Sequence, residues 1–120
     1  NHLVHIHNVA SAEAMVLGMK AGLEPATIFN VIKEGAGNSR IFELRAPMMV
    51  ENNYDAATMK MDIWQKDIKV ISEFAANLDC PTPLFTAGID IYKAGLKKGM
   101  DKLDTASVCR VLEDMAGLKR

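Results

Sequence analysis

The chain of 120 residues has few aromatic side chains, almost no net charge and no long apolar run. Aromatic residues make up 6% of it, and 14 Lys and Arg against 15 Asp and Glu leave a net charge of −1. So small a charge produces no field that holds a phosphate backbone, and we expect no nucleic-acid partner. No apolar stretch approaches the roughly 20 residues that cross a bilayer, so we expect no membrane association, no targeting leader and a cytoplasmic location.

Metal-binding and catalytic signatures are also scarce. Cys80 and Cys109 have no second cysteine or histidine at ligand spacing nearby, so we interpret both as reduced packing residues. His2 and His5 have a helical spacing compatible with a shared metal, but no acid or cysteine nearby completes a ligand set. We therefore expect no metal, and we assign the histidines to a helix face that packs on another domain. No nucleotide-binding, hydrolase or metalloprotease motif is complete in the chain.

What the chain does contain is helical periodicity. Hydrophobic residues make up 49% and charged residues 24%, a composition typical of one globular domain. Apolar residues recur every third or fourth position almost throughout, and a period of two is never sustained. The sequence therefore predicts an all-α fold, a single multi-helix bundle with a long first helix.

Glycines, prolines and capping residues mark the predicted helix boundaries. The first helix runs from near residue 1 to about Ala21 and ends at Gly22, since glycine tolerates the left-handed conformation just past a helix end. Pro25 and Pro83 suit the first positions of later helices. The predicted N-caps are Ser39, Thr82 and Asp104. Pro47 should break the third helix into two pieces that meet near Ala46.

Two helices carry clear side-chain patterns. One side of the first helix is apolar and consists of Leu3, Ile6, Ala10, Ala14, Leu17 and Ala21. The clearest amphipathic stripe consists of Met61, Trp64, Ile68, Ile71, Phe74 and Leu78. Three glycines inside predicted helices, Gly18, Gly88 and Gly95, each cost about 1 kcal/mol relative to alanine. Close helix packing explains them, and plain tolerance of a weak helix former at the surface is the alternative.

Several short motifs occur in one order along the whole chain. They are Ala12-Glu13-Ala14-Met15, Lys20-Ala21-Gly22-Leu23-Glu24-Pro25, Gly37-Asn38-Ser39-Arg40-Ile41-Phe42-Glu43, Gln65-Lys66-Asp67-Ile68, Thr82-Pro83-Leu84 and Asp104-Thr105-Ala106-Ser107. In this order the chain resembles the C-terminal helical domain of the β-hydroxyacid dehydrogenases, the 3-hydroxyisobutyrate dehydrogenase-like family. Within that family it is most similar to the branch of threonate dehydrogenase and tartronate semialdehyde reductase.

The resemblance implies a fold and an activity. The fold is that of the 6-phosphogluconate dehydrogenase C-terminal domain, and an N-terminal Rossmann domain absent from this chain would bind NAD or NADP. Residues 1–120 would form the substrate and dimerisation domain of an oxidoreductase that transfers a hydride between the nicotinamide and a small 3-hydroxy acid or its semialdehyde. The resemblance also implies a homo-oligomer. The chain alone would be inactive.

Three residues match the family's functional motifs. Asn1 matches the final Asn of the K-x-x-x-N motif, whose catalytic lysine would lie four positions upstream, on the same helical face. Asn1 would therefore be the catalytic partner of a lysine that this chain does not contain. Lys66 matches the lysine that reaches the cofactor, and Asp67 would orient it. From the pattern alone, Asn1 is a solvated chain end and Lys66 and Asp67 belong to a solvated helix face.

One segment departs from the family pattern. The aromatic-Pro-Gly-Phe stretch of many members is replaced by residues 54–59, so Met59 or Trp64 would fill the volume of the missing Phe.

Two other functions stay open. A non-catalytic helical interaction module is one alternative, because the eight methionines of the chain suit an adaptable binding surface. An imine-reductase-like enzyme on the same fold is the other, and the residue four positions before Asn1 distinguishes it.

Overall fold

The computed structural model describes all residues 1–120 and contains six α-helices and no strand. The helices are α1 (His2–Lys20), α2 (Pro25–Lys33), α3 (Arg40–Glu51), α4 (Met61–Asn77), α5 (Pro83–Lys97) and α6 (Val108–Met115), with a 3₁₀ turn at Thr105–Ser107. The predicted all-α bundle with a long first helix is confirmed. None of the helices is long and apolar enough to cross a membrane.

Helix α1 is the centre of the bundle. It contacts α2, α3, α5 and α6, whereas α4 packs mainly on α5 at the edge. The core contains 17 buried apolar residues, contributed by every helix. The largest fully buried side chains are Tyr54, Tyr92, Phe42 and Phe85.

Most predicted helix boundaries and caps agree with the structure, but Thr82 at the start of α5 makes no side-chain capping hydrogen bond. Ser39 caps α3 by accepting a hydrogen bond from the Phe42 amide at 2.9 Å. Pro25 and Pro83 occupy the first positions of α2 and α5. Gly22 has a φ of +95°, which lets the Leu23 amide donate back to the Gly18 carbonyl at 3.1 Å.

The prediction at Pro47 is wrong, because α3 continues through it. The proline removes one amide donor, but Arg45, Ala46 and Met49 on both sides of it are buried against the bundle. Tertiary packing outweighs the local cost of the missing hydrogen bond.

The buried side of α1 is not its apolar stripe. Leu3 and Leu17 are 62% and 72% exposed. The core takes the opposite side, which is formed by His5, Asn8, Ser11, Ala12, Met15, Val16 and Met19. Because α1 carries small or apolar residues around most of its circumference, periodicity alone does not select the packed side.

The stripe of α4 is buried over its first half only. Met61, Trp64 and Ile68 belong to the core, whereas Phe74 and Leu78 are more than three-fifths exposed. The second half of α4 therefore presents an apolar surface.

Close helix packing at the three glycines is confirmed. A Cβ atom at Gly18 would lie 2.5 Å from Ile28 Cδ1, and one at Gly95 would lie 2.9 Å from Met61 Cε. At Gly88 a Cβ would lie 3.0 Å from His5 Nε2. Each glycine thus admits a side chain of a neighbouring helix.

The two cysteines differ in solvent exposure. Cys109 is buried, as predicted, but Cys80 is exposed, so the packing interpretation is wrong for Cys80. Cys80 follows the end of α4, in the segment before α5.

Candidate functional site

The structure brings Asn1 against Asp67, which lies 66 positions away in the sequence. The Asn1 side-chain amide donates to Asp67 Oδ1 at 3.3 Å. Asn1 occupies the N-cap position of α1, yet its side chain makes no capping hydrogen bond and points to α4 instead. The N-terminal end of α1 is therefore joined to α4 by a side-chain hydrogen bond.

Lys66 directly precedes Asp67 on α4, and its side chain is exposed. The four ion pairs of the chain do not include it. We call Asn1, Lys66 and Asp67 the α1–α4 site. It offers an exposed ammonium, an amide that both donates and accepts, and a carboxylate, which together suit a polar ligand with anionic or amide groups.

Beneath this site lies a buried histidine whose place the sequence did not predict. His5 is fully buried within this domain, so its assignment to a face that packs on another domain is wrong. Its Nε2 atom donates to the Phe85 carbonyl at 2.9 Å, and its Nδ1 atom accepts from Trp64 Nε1 at 3.3 Å. The ring stacks on Phe85 with 3.8 Å between centroids.

The surroundings of His5 keep its imidazole neutral. Burial lowers its pKa from 6.5 to about 4, because the charged form loses its hydration, and the Phe85 hydrogen bond only partly opposes this. No three His, Cys, Asp or Glu side chains converge anywhere in the chain in a group able to hold a metal ion.

A second buried network fixes α1 against α5 and the 3₁₀ turn. The Asn8 amide donates to the Thr105 carbonyl and to the Tyr92 hydroxyl, both at 3.0 Å. The Tyr92 hydroxyl donates in turn to the His5 carbonyl at 2.9 Å. Sequence reasoning missed Asn8 because a lone polar residue on an apolar helix carries no signal of its buried partners.

Asp104 is the polar anchor of the segment that departs from the family pattern. Its carboxylate accepts from the amides of Thr58 and Met59 at 2.9 and 3.2 Å. It also accepts from the Ala106 amide at 2.8 Å, so the predicted cap acts on the 3₁₀ turn that leads into α6. Trp64 is 2% exposed and belongs to the core, whereas Met59 is half-buried.

An apolar groove adjoins the α1–α4 site. It has a volume of about 410 Å³ and begins at His2, next to Asn1. Its walls include Val70, Ile71, Phe74 and Leu78 of α4. The surface of α4 thus passes from polar to apolar within about one helical turn of Asp67.

The chain is similar to known dehydrogenases over nearly its full length. A family model described as "NAD-binding of NADP-dependent 3-hydroxyisobutyrate dehydrogenase" matches residues 1–112. L-threonate dehydrogenase of Cupriavidus necator is 31% identical over 109 residues, which cover 91% of this chain and 36% of that protein. 2-(Hydroxymethyl)glutarate dehydrogenase of Eubacterium barkeri is 31% identical over 119 residues, covering 98% of this chain and 40% of that protein.

Solved structures agree with these relatives. The 3-hydroxyisobutyrate dehydrogenase of Salmonella typhimurium superposes with a TM-score of 0.87 at 30% identity, covering 92% of this chain and 38% of that one. The Mycobacterium tuberculosis 3-hydroxyisobutyrate dehydrogenase, solved with L-serine, superposes with a TM-score of 0.81 at 25% identity, covering 93% of this chain and 40% of that one. The chain therefore spans less than half the length of the relatives it matches.

Proposed function

The chain belongs to the 3-hydroxyisobutyrate dehydrogenase-like family, and from this membership we propose that it is the C-terminal helical domain of an NAD- or NADP-dependent oxidoreductase. In this proposal residues 1–120 form one wall of the active site, and an N-terminal Rossmann domain forms the other. The observation that carries the proposal is the meeting of Asn1 with Asp67, beside Lys66, at one exposed edge of the bundle. Asn1 matches one family motif and Lys66 and Asp67 match another, and the two motifs lie far apart in the sequence.

The α1–α4 site fits the polar groups of a nicotinamide nucleotide. Lys66 is exposed and is not engaged in an ion pair, so its ammonium is available for a phosphate or a carboxamide oxygen. In this proposal Asp67, the next residue of α4, orients the ammonium through its negative charge. The bound cofactor supplies or accepts the hydride, and this chain contributes binding and orientation.

The proposed substrate is a small 3-hydroxy acid or its semialdehyde. L-threonate and 2-(hydroxymethyl)glutarate, which give two relatives their names, are both hydroxy acids, and L-serine in the M. tuberculosis structure also carries a 3-hydroxyl. In this proposal the Asn1 amide binds the substrate hydroxyl or holds the catalytic lysine, which lies outside this chain. Proton transfer at the substrate oxygen belongs to that lysine, so residues 1–120 alone are inactive.

We also propose that the outer face of α1 is the homo-oligomer contact. This face consists of Leu3, Ile6, Ala10, Ala14 and Leu17. It is apolar although most of the core lies on the opposite side of the helix, and Ile6 alone among the five also packs partly against the core. A helix that is apolar on both sides is usually buried on both sides. The same observation favours the second candidate, a non-catalytic dimerisation module in the cytoplasm, if no nucleotide-binding domain accompanies the chain.

The test compares two exposed lysines of α4. In the complete gene product, Lys66→Ala is expected to raise the KM of the nicotinamide cofactor or to lower kcat, and Lys69→Ala is the matched control on the same helix. Assays use a panel of small hydroxy acids with NAD and NADP. Unchanged kinetics for Lys66→Ala remove it from the site, and a gene product without a nucleotide-binding domain overturns the dehydrogenase proposal.

A further inference from the structure

Helix α4 carries Lys66 and Asp67, but it is held weakly against α1. It packs mainly on α5. Only two side-chain hydrogen bonds join α4 to α1, from Asn1 to Asp67 and from Trp64 to His5. Both occur near the same end of the two helices.

These two hydrogen bonds lie one helical turn apart in the same contact between α1 and α4. We call the Asn1–Asp67 bond the upper rung and the Trp64–His5 bond the lower rung. His5 lies one turn after Asn1 on α1, and its amide donates to the Asn1 carbonyl at 3.0 Å. Trp64 lies one turn before Asp67 on α4, so the lower rung lies directly beneath the upper one. The upper rung is exposed to solvent, whereas the lower rung is buried.

The buried rung has a defined geometry. His5 Nε2 donates to the Phe85 carbonyl of α5 at 2.9 Å, so Nδ1 carries the lone pair that accepts from the Trp64 indole at 3.3 Å. Stacking on Phe85 and the missing side chain at Gly88 hold the ring in place. The ring of His5 thus joins α1, α4 and α5 at one point.

From this arrangement we propose that His5 and Trp64 are positioning residues of the α1–α4 site. Their hydrogen bond sets the rotation and spacing of α4 relative to α1, and so keeps Lys66 and Asp67 opposite Asn1. An exposed hydrogen bond of 3.3 Å adds little stability by itself, so the buried rung decides the geometry. This inference rests on the proposed function of the site.

The experiment separates the hydrogen bond from the packing. Trp64→Phe and His5→Phe each remove the bond but keep an aromatic ring, and His5→Gln keeps one donor and one acceptor. In the complete gene product we expect both Phe variants to raise the cofactor KM at least fivefold with little change in kcat. His5→Phe also loses the bond to the Phe85 carbonyl, so the double variant should be no worse than His5→Phe alone, because the Trp64–His5 bond is already absent there. His5→Gln should stay within twofold of the parent.

A second measurement needs no enzymatic activity. In the 120-residue chain, NMR of the Asn1 side-chain amide reports its contact with Asp67. Each Phe variant should shift this resonance toward the position found in Asp67→Ala, and His5→Gln should leave it near the parent value. Ser39→Ala, which removes the cap of α3, is the control for general loss of stability and should change neither readout.

The outcomes distinguish this inference from the function on which it rests. If Lys66→Ala raises the cofactor KM and the Phe variants do not, the positioning role is overturned and the proposed function stands. An unmoved Asn1 resonance in Trp64→Phe, or additive effects in the double variant, also overturns it. If Lys66→Ala has no effect while the Asn1 resonance moves, the proposed function fails but the geometric claim holds. Should His5→Phe not fold, Trp64→Phe and His5→Gln carry the same test.

Discussion

The Arg45 guanidinium donates a hydrogen bond to the Thr105 hydroxyl at 2.6 Å, with both residues buried. Its Nε atom lies 3.7 Å from the Asp104 carboxylate, which is fully buried. One positive charge thus neutralises one negative charge at the junction of α3 and the 3₁₀ turn.

Loss of this cation should strongly destabilise the fold. We expect Arg45→Leu to lower the free energy of unfolding by about 3 kcal/mol or more, because the Asp104 carboxylate is then buried without a countercharge. Urea unfolding measures the change. Arg40→Leu, at the exposed start of the same helix, is the control and should change it by less than about 0.5 kcal/mol. Equal effects of the two variants would contradict a role for the buried pair.

The stability of the chain should fall as the pH drops below 6.5. The pKa of His5 is about 4 in the folded state against 6.5 for an ordinary histidine. Between these values the unfolded chain binds a proton that the folded chain does not, so His5 contributes its full stability above pH 6.5 and loses it as the pH falls toward 4. From pH 6.5 to 5 this amounts to about 1.5 kcal/mol.

Urea midpoints at pH 7.5, 6.5 and 5 measure this dependence. His5→Gln, which does not titrate, should show a flatter profile over the same range. A profile as steep in His5→Gln as in the parent would show that other groups cause the loss.

Alanine substitution at two glycines of α5 should change the free energy of unfolding by different amounts. Gly88→Ala places a Cβ 3.0 Å from His5 Nε2, on a ring held by Phe85 and Trp64, so we expect a loss of about 1–2 kcal/mol. Gly95→Ala meets the terminal methyl of Met61 at 2.9 Å, which can rotate away. The helix propensity of alanine then offsets the strain, and we expect a change near zero. Thermal unfolding of the two variants side by side is the measurement.

Association should depend on the outer face of α1. Leu17 is 72% exposed, and we expect Leu17→Lys to shift the chain from oligomer to monomer in analytical ultracentrifugation, because a charge in an apolar contact loses its hydration. Val31→Lys, 68% exposed on α2, is the matched control and should leave the sedimentation unchanged. If the parent chain is monomeric at high concentration, the contact proposal fails.

Sequence reasoning succeeded where the determinants are local. Ser39, Pro25 and Gly22 act through groups within one helical turn, and each lies where the pattern predicted. It failed at Pro47, where packing of the flanking residues outweighs a local penalty. The functional roles of Asn1, Lys66 and Asp67 stay predictions, although the structure does bring Asn1 and Asp67 together.

The sequence by itself determined the helical class, the helix ends and the family, because these depend on neighbouring residues and on short motifs. Only the tertiary structure decided which side of α1 is buried and that His5 is a neutral, internal residue. The partners that settle this question, Phe85 and Trp64, lie 80 and 59 positions from His5, and no local preference of the chain encodes their approach. Burial is a property of contacts between distant segments, so it becomes defined only when the helices pack.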